Sequence, residues 1–175
     1  MQSHSHGGFT LVEVLVALFL VALGIVGAGA AQLAAQRTRQ HAALLSEAAQ
    51  LGASLAARMQ ANAALSALPM GANPYLALEY DALADGAPAG SVSCFAASAC
   101  DPPALAAFDL HEARMAMFTR FPAGRIAICR DRTPWDAAQR RYRWTCSGDA
   151  QAPVAIKIGW HGAASGPAFV SMVAR

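Results

Sequence analysis

One long apolar segment near the N-terminus constrains this sequence more than any other feature. Almost every residue from Phe9 to Ala35 is apolar or small, and Glu13 is the only charged one. The first arginines of the chain, Arg37 and Arg39, follow the segment directly. Because a helix that crosses a lipid bilayer needs about 20 apolar residues, the sequence predicts a membrane-spanning helix in this segment.

Glu13 is the unusual member of the segment, because a carboxylate inside an apolar helix is costly in a membrane. Two interpretations are open at this point. An ordinary membrane anchor could carry Glu13 near its end, where the side chain reaches the lipid headgroups. Alternatively, another group pairs with the carboxylate.

The string Gly-Phe-Thr-Leu-Val-Glu at residues 8–13 resembles the prepilin signature of type IV pilins and type II secretion pseudopilins. The resemblance implies that a membrane-bound prepilin peptidase cuts after Gly8 and methylates the new N-terminal residue, Phe9. It also implies that Glu13 pairs with the ammonium of Phe9 in a neighbouring subunit. Both charges would otherwise be unpaired in an apolar filament core, so Glu13 would control the register of assembly.

The predicted organisation has four parts. Residues 1–8 form a leader that is too short for a secretory signal, and no Ala-x-Ala cleavage site follows it at a suitable place. Residues 9–35 form the membrane-spanning or filament-core half of the N-terminal helix, and residues 36–66 form its amphipathic half. Residues 67–175 form a periplasmic, globular, pilin-like domain.

The charges around the apolar segment give an opposing indication. The leader carries His4 and His6 but neither Lys nor Arg, whereas prepilin leaders usually carry basic residues. By the positive-inside rule, Arg37 and Arg39 favour a cytoplasmic C-terminus. We nevertheless expect a periplasmic domain, because these arginines lie beyond a long span and the cysteines indicate an oxidising compartment.

Periodic apolar residues predict that the helix continues beyond the membrane. They recur at spacings of three and four, as on one face of an α-helix: Leu44, Ala48, Leu51, Leu55 and Met59. The helix should end between Asn62 and Leu68, because Pro69 and Gly71 follow. Residues 69–92 are rich in Pro and Gly and should form a connecting loop with little regular structure.

A second, shorter helix is predicted after Asp101, which is followed by two prolines. It should run from Ala104 to Phe121 and end before Pro122. Its predicted, mostly apolar stripe comprises Leu105, Phe108, Glu112, Met115 and either Phe118 or Thr119.

The last third of the chain predicts an antiparallel sheet, with strands at residues 125–130, 141–146, 154–160 and 169–173. Alternation puts Lys157 on the opposite face from the apolar residues of its strand. The expected fold is therefore α+β. It is a pilin-like ladle, in which the long N-terminal helix packs on a C-terminal antiparallel sheet and a second short helix.

Four cysteines permit three pairings. None of their spacings is typical of a zinc site. We predict disulfides between sequence neighbours, Cys94 with Cys100 and Cys129 with Cys146. Both would be compatible with a periplasmic or extracellular domain.

Composition and motifs do not favour an enzyme. The sequence has no nucleophile-elbow, phosphate-loop or zinc-protease motif, so we expect no catalytic, cofactor-binding or metal site. Glu79, Asp81 and Asp85 lack the spacing of a calcium loop and are expected to be solvated loop charges.

A cluster of arginines and aromatic residues suggests an alternative function. Such a mixture is typical of surfaces that bind single-stranded nucleic acid: Arg130, Arg132, Arg140, Arg141, Arg143, Trp135, Tyr142 and Trp144. Alternation, however, separates Tyr142 and Trp144 from Arg141 and Arg143. The net charge of +2 gives no global attraction either, so we do not expect nucleic acid to be a partner.

Looser features of the second half resemble the PilV family of minor pilins, also called pilus modification proteins. These features are the helix end at residues 121–124, the strand at residues 126–131 and the closing strand around Ser171. The resemblance implies a low-abundance subunit of the inner membrane that joins other minor pilins in a priming complex at the pilus tip. Such a complex initiates polymerisation of the major pilin on the inner-membrane assembly platform and can support a tip adhesin, adhesion and twitching motility. The alternatives are a GspI-like pseudopilin of type II secretion, a DNA-binding uptake pilin and a plain membrane-anchored periplasmic protein.

Overall fold

The structure, a computed structural model, describes residues 8, 10–90, 93–94, 100–161 and 166–173. Contacts divide the chain into two compact units, Met1–Ala43 and Leu44–Arg175. The elements are α1 (Leu11–Ala61), α2 (Ala63–Ser66), a 3₁₀ helix (Pro74–Ala77), β1 (Glu79–Asp81), α3 (Pro102–Arg120), β2 (Arg125–Arg130), β3 (Trp135–Asp136), β4 (Arg141–Tyr142), β5 (Val154–Gly159) and β6 (Phe169–Val173).

The part of α1 in the first unit exposes a continuous apolar surface. Leu11, Phe19 and Ile25 are 76%, 62% and 68% exposed. Among the described residues, α1 is the one helix that is long and apolar enough to cross a membrane, with a mean hydropathy of 2.7 over its most apolar 18 residues. The helix thus has the length and composition that the apolar segment predicts.

The part of α1 in the second unit packs into a core, as its periodicity predicts. Its buried residues are Ala48, Gly52, Leu55 and Met59. Gly52 allows a close approach to β6, because a Cβ there would lie 3.0 Å from a ring carbon of Phe169. α1 ends at Ala61, one residue before the predicted interval, and the short α2 that follows ends at Ser66, within it.

The main sheet has four antiparallel strands in the order β1-β2-β5-β6. Ile126 lies opposite Ile158, and Ile128 lies opposite Ile156. All four isoleucines belong to the core cluster, which also contains Leu55 of α1 and apolar residues of α3. The predicted α+β arrangement, with a long helix, an antiparallel sheet and a second helix, is confirmed.

The segment at residues 69–92 holds more regular structure than predicted. The 3₁₀ helix begins after Asn73, whose side-chain oxygen accepts a hydrogen bond of 3.0 Å from the Tyr75 amide. β1 then pairs with β2 and becomes an edge of the main sheet. Leu78 and Tyr80 are buried. Burial of these side chains therefore decides the local structure, although the composition indicates turns.

The prediction for residues 141–146 is wrong beyond Tyr142. Only β4 forms there, and it pairs with β3 in a separate two-stranded sheet. The carbonyl oxygens of Arg143, Trp144 and Thr145 all accept hydrogen bonds from the Lys157 ammonium. Successive carbonyls of a strand point in alternating directions, so three that converge on one atom cannot belong to a strand.

The predicted buried face of α3 is also wrong in part. Phe108 is buried as predicted, but Met115 and Phe118 are 36% and 43% exposed. The face that packs inward contains Ala106, Phe108, Asp109, Leu110, Ala113 and Met117. Asp109 is buried because Arg58 and Tyr75 bind its carboxylate. With Asp109 on its inner face, α3 buries a different side from the apolar stripe that the sequence indicates.

The outer face of the main sheet is covered by the excursion, which we define as residues 131–153 between β2 and β5. Lys157 points to this face and is nevertheless fully buried. Its ammonium donates to Asp131 at 2.6 Å and to the three excursion carbonyls at 2.9–3.2 Å. The Cys129–Cys146 disulfide closes the excursion over the same face.

Candidate functional site

The first turn of α1 is organised by Thr10. The backbone oxygen of Thr10 accepts hydrogen bonds from the amides of Glu13 and Val14, at 3.1 and 3.3 Å. Its side-chain oxygen accepts a further bond from the Glu13 amide at 3.3 Å. Thr10 is therefore the N-cap of the helix, and Glu13 occupies the third helical position. This is the spacing of a capping box.

The same turn gives Glu13 a favourable place along the helix. A negative charge in the first turn interacts favourably with the exposed amides and the positive end of the helix dipole. Around it, Leu11, Val12 and Val14 are 76%, 68% and 48% exposed. The turn thus presents one carboxylate within an apolar surface.

The predicted processing and assembly residues are described unequally. Gly8 and Glu13 are described, and both are exposed. Phe9, the predicted N-methylation site, lies outside the described residues, as does most of the leader. The structure therefore describes the predicted cleavage junction only on its Gly8 side.

Three glycines follow on the same helix, at Gly24, Gly27 and Gly29. A Cβ added at any of them would meet no atom within 4 Å. Glycine weakens a helix by up to about 1 kcal/mol relative to alanine. Small residues also let apolar helices approach one another closely, so this stretch suits contact with other helices.

In the second unit, a buried polar network joins α1, the 3₁₀ helix and α3. Arg58 donates to Asp109 at 3.0 Å and to Glu112 at 3.4 Å. The Tyr75 hydroxyl donates to Asp109 at 2.8 Å and accepts from Asn62 at 3.2 Å. Burial, more than the neighbouring carboxylate of Asp109, raises the pKa of Tyr75 to about 12. Sequence analysis missed this network.

The structure forms both disulfides between sequence neighbours. Cys94 is bonded to Cys100, close to the start of α3, and the Sγ of Cys94 also lies 3.7 Å from the carbonyl of Ala104. Cys129 of β2 is bonded to Cys146 of the excursion. Both cross-links constrain the loops that flank the core, and no described cysteine is free.

The arginine and aromatic cluster is divided by burial, because Arg132, Trp135, Arg140, Arg141 and Arg143 are exposed on the excursion, whereas Arg130 is not. Arg130 is buried in the core-facing row of β2. Arg132 pairs with Asp149, and the Arg143 guanidinium donates to Thr133. Trp135 is half-exposed and contacts the Tyr142 ring edge-on, with centroids 5.1 Å apart.

The acidic residues of the connecting segment have local partners. Glu79 pairs with Arg125 at 3.0 Å. The carboxylates of Asp81 and Asp85 accept backbone hydrogen bonds within the same turn. Among the described residues, no group of three His, Cys, Asp or Glu side chains is arranged to hold a metal ion.

Comparison with known protein families gives one result. Residues 3–29 match the prokaryotic N-terminal methylation motif. No curated protein and no solved structure matches the chain. The motif covers most of the predicted leader and about three quarters of the apolar segment, as far as Gly29. Together with the apolar helix, it supports a membrane-anchored, type IV pilin-like protein, either a pilin or a pseudopilin.

Proposed function

We propose that this chain is a minor pilin of a type IV pilus, of the PilV kind, which helps to prime pilus assembly. The first turn of α1 carries the proposal, because this turn, capped by Thr10, holds the carboxylate of Glu13 among exposed apolar residues. The matched methylation motif includes this turn. The assignment to PilV rests on the looser resemblance of residues 121–131 and of the last strand.

In this proposal, prepilin peptidase removes residues 1–8 and methylates Phe9. The apolar part of α1 holds the subunit in the inner membrane, with the remainder of the chain in the periplasm. During assembly, Glu13 pairs with the methylated ammonium of a neighbouring subunit, because an apolar filament core would leave either charge unpaired. Other minor pilins, the major pilin and the inner-membrane assembly platform are the partners, and the assembled subunit lies at the pilus tip.

We further propose that the protein acts by assembly and has no catalytic activity or cofactor. Several buried polar groups of the second unit are engaged in structural contacts, such as Asp109 with Arg58 and Lys157 with Asp131. Arg130 is buried, and Arg132 and Arg143 are engaged with Asp149 and Thr133, which does not favour nucleic-acid binding.

The test is Glu13→Gln, expressed in place of the native protein in its own host. Removing the charge leaves the neighbouring ammonium without a partner, so we expect a marked loss of surface pili and of twitching at normal protein abundance. Glu13→Asp, which keeps the charge, should retain more pili than Glu13→Gln. Normal piliation in the Glu13→Gln strain would refute the proposal.

A matched control is Glu112→Gln. This carboxylate is also exposed, but it pairs with Arg58 within the second unit, and exposed ion pairs contribute about 0–1 kcal/mol. The Glu112→Gln strain should therefore make normal pili. If Glu13→Gln instead blocks protein secretion and leaves pili unchanged, the pseudopilin alternative is correct.

A further inference from the structure

A cavity of about 770 Å³ lies at the end of α1 in the second unit. Its walls come from the last turn of α1, from α2 and the residues after it, and from the ends of β2, β5 and β6. Most of the lining side chains are apolar: Met59, Ala63, Ala67, Pro69, Met70, Val154 and Val173. A volume in the range of about 300–1,000 Å³ is typical of sites for small molecules.

Arg130 introduces a positive charge into this apolar wall. Arg130 lies opposite Val154 in β5, and Val154 lies opposite Val173 in β6. Because side chains alternate along a strand, Arg130 shares the core-facing side of β2 with Ile126 and Ile128. The residue is 8% exposed, so this cation is held at a position that normally takes an apolar residue.

The Arg130 guanidinium has a neutral partner. Its Nη1 donates a hydrogen bond of 3.0 Å to the carbonyl of Ala152. Among the described residues, no carboxylate forms an ion pair with Arg130. A buried cation is costly unless an anion or several acceptors compensate it. None of the Arg130 nitrogens is both buried and without a partner, so the remaining donors face the open cavity, which leaves space for an anion beside them.

The polar groups that line the cavity indicate which kind of ligand it would bind. The planar guanidinium matches the two oxygens of a carboxylate. The other polar side chains are already engaged: Ser66 donates to the carbonyl of Met59 at 2.5 Å, and Gln60 and Gln151 each have an interaction of their own. A peptide backbone would therefore find few partners for its polar groups, whereas an aliphatic tail needs none.

We propose that this cavity binds an aliphatic monocarboxylate of the fatty-acid class. The carboxylate lies on Arg130, and the tail runs along Met59, Met70 and Val173. The proposal uses only contacts within the second unit, so its test is independent of the proposed role in pilus assembly.

The experiment uses the full-length protein in lipid nanodiscs. A dodecanoate analogue with a diazirine in its tail is added and irradiated, and the labelled residues are mapped by mass spectrometry. We expect labels on Met59, Met70 or their neighbours in α2. Unlabelled dodecanoate should compete with the labelled analogue. Dodecanol lacks the carboxylate and acetate lacks the long tail, so each should compete at least about tenfold less well.

Two variants sharpen the test. Arg130→Leu should raise the dodecanoate concentration needed for half-maximal competition by about tenfold or more, and Arg132→Leu is the matched control at an exposed arginine. Ala63→Phe keeps the cation but narrows the cavity, so it should reduce labelling even if Arg130→Leu proves unstable. The intact mass without reduction should show both disulfides in every variant analysed.

Several outcomes would overturn the proposal. These are equal competition by dodecanol or acetate, unchanged labelling in Ala63→Phe, equal effects of Arg130→Leu and Arg132→Leu, and labels confined to the apolar part of α1. Labelling that falls as the protein concentration rises, with no effect of dodecanoate, would mean that a second copy covers the cavity. That result would also overturn it.

Discussion

The ammonium of Lys157 lies 2.6 Å from a carboxylate oxygen of Asp131, and the two side chains are 0% and 1% exposed. Lys157 belongs to a central strand of the main sheet, whereas Asp131 begins the excursion that covers that sheet. The ion pair therefore attaches the excursion to the sheet from within. Three backbone carbonyls complete the shell around the ammonium.

The first prediction concerns this ion pair. Lys157→Met should lower the free energy of unfolding of the second unit by about 3–5 kcal/mol, because it leaves Asp131 buried without its partner. The three carbonyls would also lose their donor. Urea unfolding followed by tryptophan fluorescence is a suitable measurement, since Trp160 is buried beside Phe121.

The matched control for Lys157→Met is Arg132→Met, which removes the exposed pair between Arg132 and Asp149. Exposed ion pairs contribute about 0–1 kcal/mol, so its effect should be much smaller. If both variants lost the same free energy of unfolding, the buried pair would stabilise the protein no more than an exposed pair does.

The second prediction concerns the disulfides. Cys129 and Cys146 are 17 residues apart, and closing a loop of this length contributes about 3 kcal/mol. Replacing both by Ser should therefore lower the free energy of unfolding by about 3 kcal/mol and expose Lys157 to solvent. The Cys94–Cys100 bond closes a loop of only 6 residues, so the same double replacement there should cost less. Urea midpoints of the two double variants give the comparison, and the reverse order would contradict it.

The third prediction concerns stability at alkaline pH. The folded state raises the pKa of Tyr75 from 10.0 to about 12, chiefly because the hydroxyl is buried. The unfolded chain therefore loses the Tyr75 proton at lower pH than the folded chain does. The stabilisation is complete below pH 10 and is lost as the pH rises to about 12. Between pH 10 and 12, the urea midpoint should fall more steeply with rising pH in the native protein than in Tyr75→Phe.

If the urea midpoint changed equally with pH in the native protein and in Tyr75→Phe, the raised pKa of Tyr75 would be contradicted. The variant also loses the hydrogen bond to Asp109, so it should be less stable at neutral pH. Only the difference in slope, and not the difference in stability at one pH, tests the pKa of Tyr75.

The fourth prediction concerns processing. In a host with an active prepilin peptidase, the protein recovered from membranes should begin at Phe9 and carry one added methyl group. Its four thiols should appear only after reduction, because all four cysteines are bonded in pairs. Intact mass with and without reduction measures both properties. An uncut chain with free thiols would indicate a plain anchor with a cytoplasmic domain.

Much of the fold follows from simple periodicity. The spacing of Ala48, Leu55 and Met59 predicts the buried face of α1, and the apolar segment before it predicts an exposed helix of membrane-spanning length. Strands β2 and β6 are predicted with the right ends, and strand β5 is predicted one residue too long. These elements depend on apolar burial alone, which a single sequence records well.

The errors in the fold occur where polar contacts decide the structure. α3 turns its buried Asp109 toward Arg58, and residues 143–145 direct their carbonyls to Lys157. Such partners lie far apart in the sequence, so no local pattern indicates them. β1 was missed for a different reason, because the turn residues around it obscure the burial of Leu78 and Tyr80.

The candidate site was predicted unevenly. The positions of Gly8 and Glu13 follow from a short motif, and Thr10 completes it as the helix cap. The cavity at Arg130 had no sequence signal, because an arginine at the end of a strand usually reaches solvent. Only the register with Val154 and Val173 places it in the core-facing row.

The arrangement of the excursion has a practical consequence for labelling the protein. The contacts that hold it to the sheet are made at its first residue, Asp131, and at residues 143–146. The turn between β3 and β4 lies away from them and is exposed at residues 137–140. An epitope tag or a fluorophore inserted in this turn should leave the core, both disulfides and the start of α1 intact. This turn is therefore a suitable place to label the folded protein.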